Sequence, residues 1–185
     1  MAESFSNSVK RAVGIVSATS SGAIGITTNK ITGLALDTGL VSIGDLVINQ
    51  HYRAGAKVTA VGSGTSIVVD RDSTNTAAAT GQSVNFLGVT TAYTSPAATK
   101  SVLIGGTFAN LTENNVNIYV EVLDETETAG VSSIMLASDI PIPSGSSFVI
   151  SEAGKTVLEA TDKVLVYSDT ASSVDVNLSI LKGVS

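Results

Sequence analysis

The sequence predicts an all-β protein of two modules: a small N-terminal β-barrel-like module followed by a C-terminal antiparallel β-sandwich. Three observations predict it. First, Val116-Asn117-Ile118-Tyr119-Val120-Glu121-Val122 alternates strictly, with Val, Ile, Val and Val on one side and Asn, Tyr and Glu on the other. Period two with one polar face is the pattern of a half-buried strand. Second, β-prone runs flank turn-forming residues along the whole chain, which suits short strands joined by tight connections. Third, no long stretch places apolar residues at i, i+3, i+4 and i+7, so helices are not expected beyond a short turn or helix over Ser4–Ala12, capped by Ser4 or Ser6.

In the C-terminal half, Ser173–Ile180 repeats the alternation, and Val164-Leu165-Val166-Tyr167 is a shorter run expected to be more buried. In the N-terminal half, Lys57–Val61 and Thr65–Asp70 flank Gly62-Ser63-Gly64 and read as a hairpin. Ser83–Leu87 closes that module. Gly14–Ser17, Ile24–Ile26 and Val41–Ile43 are weaker strands between Ser/Gly/Thr turns. Residues 72–81 read as an Ala/Thr-rich loop, because Ser, Thr and Asn compete with helical hydrogen bonding. The polar connector 88–97, ending near Pro96, marks the boundary. The expected organisation is an N-terminal arm (1–11), a docking module (12–88), a linker (89–97) and a sandwich module (98–185).

Composition narrows the function. Hydrophobic residues make up 43% of the 185-residue chain, yet they come in short runs such as Leu46-Val47-Ile48, far below the ~18 needed to cross a bilayer as a helix. The polar N-terminus has no apolar core resembling an export signal, so no membrane partner is expected. There is no cysteine, which removes disulfides, zinc–thiolate sites and thiol nucleophiles together. Modules of this size without staples are often marginal alone, so a homo-oligomer is expected. The net charge is −6, which argues against nucleic acid, since phosphate binding needs clustered Lys and Arg. The charge is uneven: residues 1–92 carry six basic and five acidic side chains, and residues 93–185 carry four and eleven.

The candidate sites are few. His51 is the only histidine; a Ser-His-Asp triad would need it with Asp45 or Asp37, but no nucleophile elbow accompanies it. His51, Tyr52 and Arg53 read instead as a contact patch on a polar loop tip, because Tyr and Arg are enriched at interface hot spots. Phe5, Lys10 and Arg11 of the arm are the other expected interface residues. Asp124-Glu125-Thr126-Glu127 and Asp70-Arg71-Asp72 with Asn75 supply carboxylates that a calcium ion uses, but the calcium-loop glycine and terminal Glu are missing from the second; solvated acidic turns explain both. Aromatic residues are 4% with no Trp, which argues against a sugar-stacking cleft. Gly62-Ser63-Gly64 and Gly105-Gly106 precede no helix and so make no phosphate loop. Asn110-Leu111-Thr112 and Asn177-Leu178-Ser179 match glycosylation sequons. The expectation is therefore a protein that is not an enzyme, with no cofactor, metal or small-molecule substrate.

Two stretches carry a resemblance. Pro141-Ile142-Pro143-Ser144-Gly145-Ser146-Ser147, Lys155–Asp162, Ser168-Asp169-Thr170-Ala171 and Ser173–Ser179 resemble small β-sandwich virion proteins of tailed bacteriophages, notably of marine cyanophage type. Ile43-Gly44-Asp45-Leu46-Val47 and Ala54–Val61 resemble a β-rich module of phage structural and adhesin-like proteins. The resemblance implies residence in a virion assembled in the host cytoplasm, with capsid, neck or tail subunits as partners. It brings no functional residues with it. The expected function is a structural protein that decorates or stabilises the particle; the alternative is a receptor- or glycan-binding adhesin or fibre subunit, with His51–Arg53 and Asp124–Gly130 as contacts.

Overall fold

The computed structural model describes residues 3–35, 41–62, 65–125, 133–151 and 155–184, with 15–17 described by their backbone only. Its fold is all-β, with antiparallel sheets and no helix among the described residues. The chain forms two compact units: residues 15–89, and residues 1–14 together with 90–185.

The unit 15–89 contains one six-stranded sheet. Its strands are β2 (Ile15–Ile24), β3 (Lys30–Thr32), β4 (Leu46–Ile48), β5 (Val58–Val61), β6 (Ser66–Val69) and β7 (Ala79–Gly88), ordered β4-β7-β2-β3-β6-β5. The hairpin expected around Gly62 is β5–β6, with Val61 opposite Ile67. Pairing does not close the sheet into a barrel, but its two outer strands are tied by Val47 N–H to Ala56 O (2.8 Å) and Val58 N–H to Asp45 O (2.9 Å). One face buries Ile24, Ile31, Val47, Val58, Ile67, Val69, Val84 and Phe86 in a single cluster. The expected strand Val41–Ile43 is not one; the chain turns there and the strand begins at Leu46. The reason is local: Asp45 accepts the Ser42 N–H with its carboxylate and donates its own N–H to Ser42 O, which closes a turn.

The other unit holds two sheets. One comprises β1 (Ser4–Val13), β9 (Lys100–Asn110), β12 (Ser147–Ile150), β13 (Thr156–Leu158) and β15 (Val174–Val184), ordered β1-β15-β9, with β12 and β13 both on the far side of β9. The second is β11-β10-β14-β8, formed by β8 (Thr90–Thr94), β10 (Val116–Leu123), β11 (Ser133–Ile142) and β14 (Lys163–Ser168). The two sheets share one core: Val174, Val176, Leu178, Ile180, Leu103 and Phe108 from the first meet Val116, Ile118, Val120, Val122, Val164 and Val166 from the second. Phe108 stacks on Phe148 with ring centroids 5.9 Å apart.

Two expectations are corrected. The arm expected over 1–11, with a short turn or helix over Ser4–Ala12, is instead largely the ten-residue strand β1, paired with β15 in register from Ser4↔Lys182 to Lys10↔Val176. Its inner side chains are serines rather than aliphatics, and Ser8 Oγ–H donates to Ala92 O at 2.7 Å, so hydrophobic periodicity carries almost no signal there. The expected linker 89–97 contains β8, which is paired along β14. Gly14, where the chain leaves for the other unit, has φ +105°, and a Cβ there would collide with the Thr170 carbonyl. Its own carbonyl accepts the Ser172 N–H. Only glycine meets both demands.

Candidate functional site

The expected loop site is largely structural. Tyr52 is 6% exposed and belongs to the core cluster of its unit, so it is not a surface contact. Its hydroxyl donates to Thr28 O at 3.2 Å, and burial, helped by the nearby charge of Asp72, pushes its pKa up to about 12. His51 is half-buried, with Nε2 3.2 Å from Gln82 Oε1 and 3.4 Å from Gln50 Nε2. The Asp45 carboxylate accepts Ser42 N–H in the turn described above and is not among the partners of His51; Asp37 lies outside the described residues. Arg53 is exposed. The loop thus presents His51 and Arg53, held by Asn49, whose side chain accepts His51 N–H at 2.8 Å and donates to Ser83 O at 2.8 Å.

The acidic stretches are engaged with neighbours. Asp70 forms a two-point contact with Arg71, at 2.9 and 2.7 Å, and accepts Lys57 N–H at 3.0 Å. Burial opposes its ionisation, but the hydrogen bonds from Arg71 and Lys57 and their positive charges outweigh that and hold its pKa below the usual carboxylate value. Glu125 pairs with Lys163. Glu127 lies outside the described residues. Asp162 accepts Glu125 N–H at 3.2 Å and Glu159 N–H at 2.8 Å; burial raises its pKa, and the charges of Asp124 and Glu159 add to the rise against those two hydrogen bonds. Among the described residues no three His, Asp or Glu side chains converge as a metal ligand set.

A buried polar network appears where the sequence suggests a solvent face. Tyr119 and Glu121 of β10 are 7% and 1% exposed. Tyr119 stacks on Tyr167 of β14 with centroids 5.2 Å apart. The Tyr167 hydroxyl donates to Glu121 Oε2 at 3.1 Å, and that of Tyr119 to Asp139 Oδ1 at 2.8 Å. Burial, then the Asp139 hydrogen bond, pushes the Tyr119 pKa up. With both hydroxyls donating to carboxylates, this network ties β10, β11 and β14 together. Asn110 of the first sequon is likewise internal: its amide donates to Asn114 O at 2.7 Å and Ile142 O at 2.9 Å.

The surface that stands out is the outward face of the five-stranded sheet. Its inward partners alternate with side chains aligned across the strands. One row runs Phe5–Leu181–Val102–Val157 across β1, β15, β9 and β13, and another runs Val9–Asn177–Thr107–Val149 across β1, β15, β9 and β12. Phe5 is 78% exposed, Val9 64%, and Val149 and Val157 each 55%. Lys10 and Arg11 are exposed at the end of β1, where Arg11 Nε lies 3.9 Å from Asp175. Of the expected interface residues, Phe5, Lys10 and Arg11 therefore share one strand, while His51 and Arg53 belong to the other unit. The rows depend on cross-strand register, which no single segment of sequence displays.

Comparison with protein-family models, curated proteins and solved structures finds no match to this chain.

Proposed function

We propose that the chain is a non-enzymatic structural protein of a tailed-phage virion, attaching to the capsid or neck and stabilising or decorating the particle through protein–protein contacts. The observation that carries this reading is the outward face of the five-stranded sheet, where Phe5, Val9, Val149 and Val157 stand exposed within two register-aligned rows. Exposed apolar area arranged in this way marks an association surface. The resemblance of the strand and turn motifs to phage virion proteins supports the same reading. On this reading the two sheets around the shared core are a β-sandwich, and the six-stranded sheet, tied between β4 and β5, is barrel-like.

Charge divides the roles. Unit 15–89 holds four basic and four acidic residues, net zero, whereas the other unit holds six and twelve, net −6. The neutral unit docks on the particle, and the acidic one projects and self-associates. The adhesin alternative loses support from the burial of Tyr52, since a sugar-binding loop uses exposed aromatic faces.

Quantitative mass spectrometry of intact particles tests the proposal. Many hundreds of copies place the protein on the capsid, about a dozen at the neck and a handful in fibres; absence from purified particles refutes it. Because β1 is integral to a sheet, removing residues 1–11 is expected to destabilise the C-terminal unit, so loss of attachment in that truncation does not by itself identify a docking segment.

A further inference from the structure

We propose that two copies of the chain form a two-fold dimer by antiparallel pairing of β1 with β1 of a second copy, centred on Asn7. This names the surface for the self-association proposed above. β1 is the outermost strand of its sheet, with β15 on one side. Among the described residues no backbone hydrogen bond other than those to β15 involves Ser4–Lys10. The strand is regular over that span, and its register shifts only between Lys10 and Val13. Between Ser4 and Val9 it carries none of the features that protect free edges, namely proline, charge or a bulge.

The sequence of this edge is self-complementary. With Asn7 on the two-fold axis, Phe5 faces Val9 of the second copy, Ser6 faces Ser8, and Asn7 faces Asn7. Lys10 faces Ser4, and beyond the regular span Glu3 of one copy lies near the basic Lys10–Arg11 end of the other at both ends. Apolar thus meets apolar and negative meets positive, twice each, as an isologous contact requires. Other centres lose this match. Centring on Ser6 sets Phe5 against Asn7 and Val9 against Glu3. Centring on Ser8 sets Phe5 against Arg11.

Pairing centred on Asn7 keeps the outward faces of both sheets on one side. It joins the Phe5–Leu181–Val102–Val157 row of one copy to the Val9–Asn177–Thr107–Val149 row of the other. Ser8, whose hydroxyl reaches Ala92 O on the inner face, leaves the edge itself free.

The test uses charge at the two apolar positions, which are exposed and tolerate substitution without cost to the core. Analytical ultracentrifugation over a concentration series follows the full-length chain and two double variants, Phe5→Lys/Val9→Lys and Phe5→Glu/Val9→Glu. Each variant sets like charges against each other in its own homodimer, so self-association is expected to weaken at least ~10-fold. An equimolar mixture of the two sets opposite charges together and is expected to restore a 1:1 dimer. Circular dichroism checks that each variant is folded.

A monomeric wild-type chain, double variants that associate as well as wild type, or a mixture that stays monomeric would each overturn the proposal. Should either variant unfold, hydrogen exchange on the wild type decides instead. Ser4–Lys10 amides gain protection as concentration rises if the edge is the interface, and concentration-independent exchange refutes it. A dimer found in solution alongside absence from particles would refute the virion reading and leave the edge assignment standing.

Discussion

The two units reach stability by different means. In residues 15–89 several strands are short, three residues in β3 and β4 and four in β5 and β6, and side chains lock the turns between them. Ser73 Oγ–H donates to Gly25 O and accepts Thr28 N–H, Asn75 donates to Ala77 O, and Tyr52 reaches Thr28 O. In the other unit β1, β9, β11 and β15 run ten or eleven residues, and two sheets bury one larger core between them. The larger unit also locks turns with side chains such as Asn110 and Ser173, but most of its pairing runs along long ladders, whereas in 15–89 only β2 and β7 reach ten residues. Short strands around one cluster depend on every turn holding its geometry.

The largest effects should come from the aromatic centres of the two cores. Phe108→Ala and Phe86→Ala each remove a fully buried ring, with an expected loss of about 3–5 kcal/mol. Hydrogen exchange resolves which unit responds. Each substitution is expected to open its own unit first, and equal loss of protection in both units would dissolve the distinction between them.

Gly14→Ala comes next. The positive φ and the clash with the Thr170 carbonyl predict destabilisation of about 1–3 kcal/mol, read by chemical denaturation. An unchanged midpoint would mean the backbone relaxes freely at that point. Tyr167→Phe then removes the hydroxyl donor to the buried Glu121; the expected cost is about 1–3 kcal/mol, concentrated in the C-terminal unit.

The smallest effect separates the units by sign. Asp70, in unit 15–89, has its pKa held below the ordinary 3.8, whereas that of Asp162, in the other unit, is raised above it. A depressed carboxylate contributes stability that is present above its unfolded pKa and lost as pH falls through the folded one. A raised carboxylate does the opposite: the native state binds the extra proton, so its contribution is present at low pH and lost as pH rises through the folded pKa. Unit-resolved exchange should therefore show Asp70→Asn flattening an acid-side loss below about pH 3.8 and Asp162→Asn flattening a loss just above it.

Much of the fold is legible from local pattern. Val116–Val122 and Val164–Tyr167 lie in β10 and β14, all of Ser173–Ile180 but its first residue lies in β15, and the hairpin expected within Lys57–Asp70 is β5–β6. Pattern misled where burial is two-sided. Tyr119 and Glu121 read as a wet face because their types are polar, but β10 is a central strand, and their polar atoms are satisfied by Tyr167 and Asp139. Tyr52 misled in the same way: in Asn49-Gln50-His51-Tyr52-Arg53 it has polar neighbours, yet its ring enters the core and only its hydroxyl bonds back to backbone. β1 misled for the opposite reason, since its inward residues Ser6 and Ser8 carry no apolar signal.

The sequence by itself determined much of the strand character, the absence of thiol chemistry and the uneven distribution of charge, because each follows from residue type and short-range spacing. Only the tertiary structure decided that the first strand belongs with the last, and that Phe5, Leu181, Val102 and Val157 stand in one row. Those facts depend on hydrogen-bond register between segments as much as 170 or more residues apart, where pairing is set by how whole faces bury rather than by any local preference.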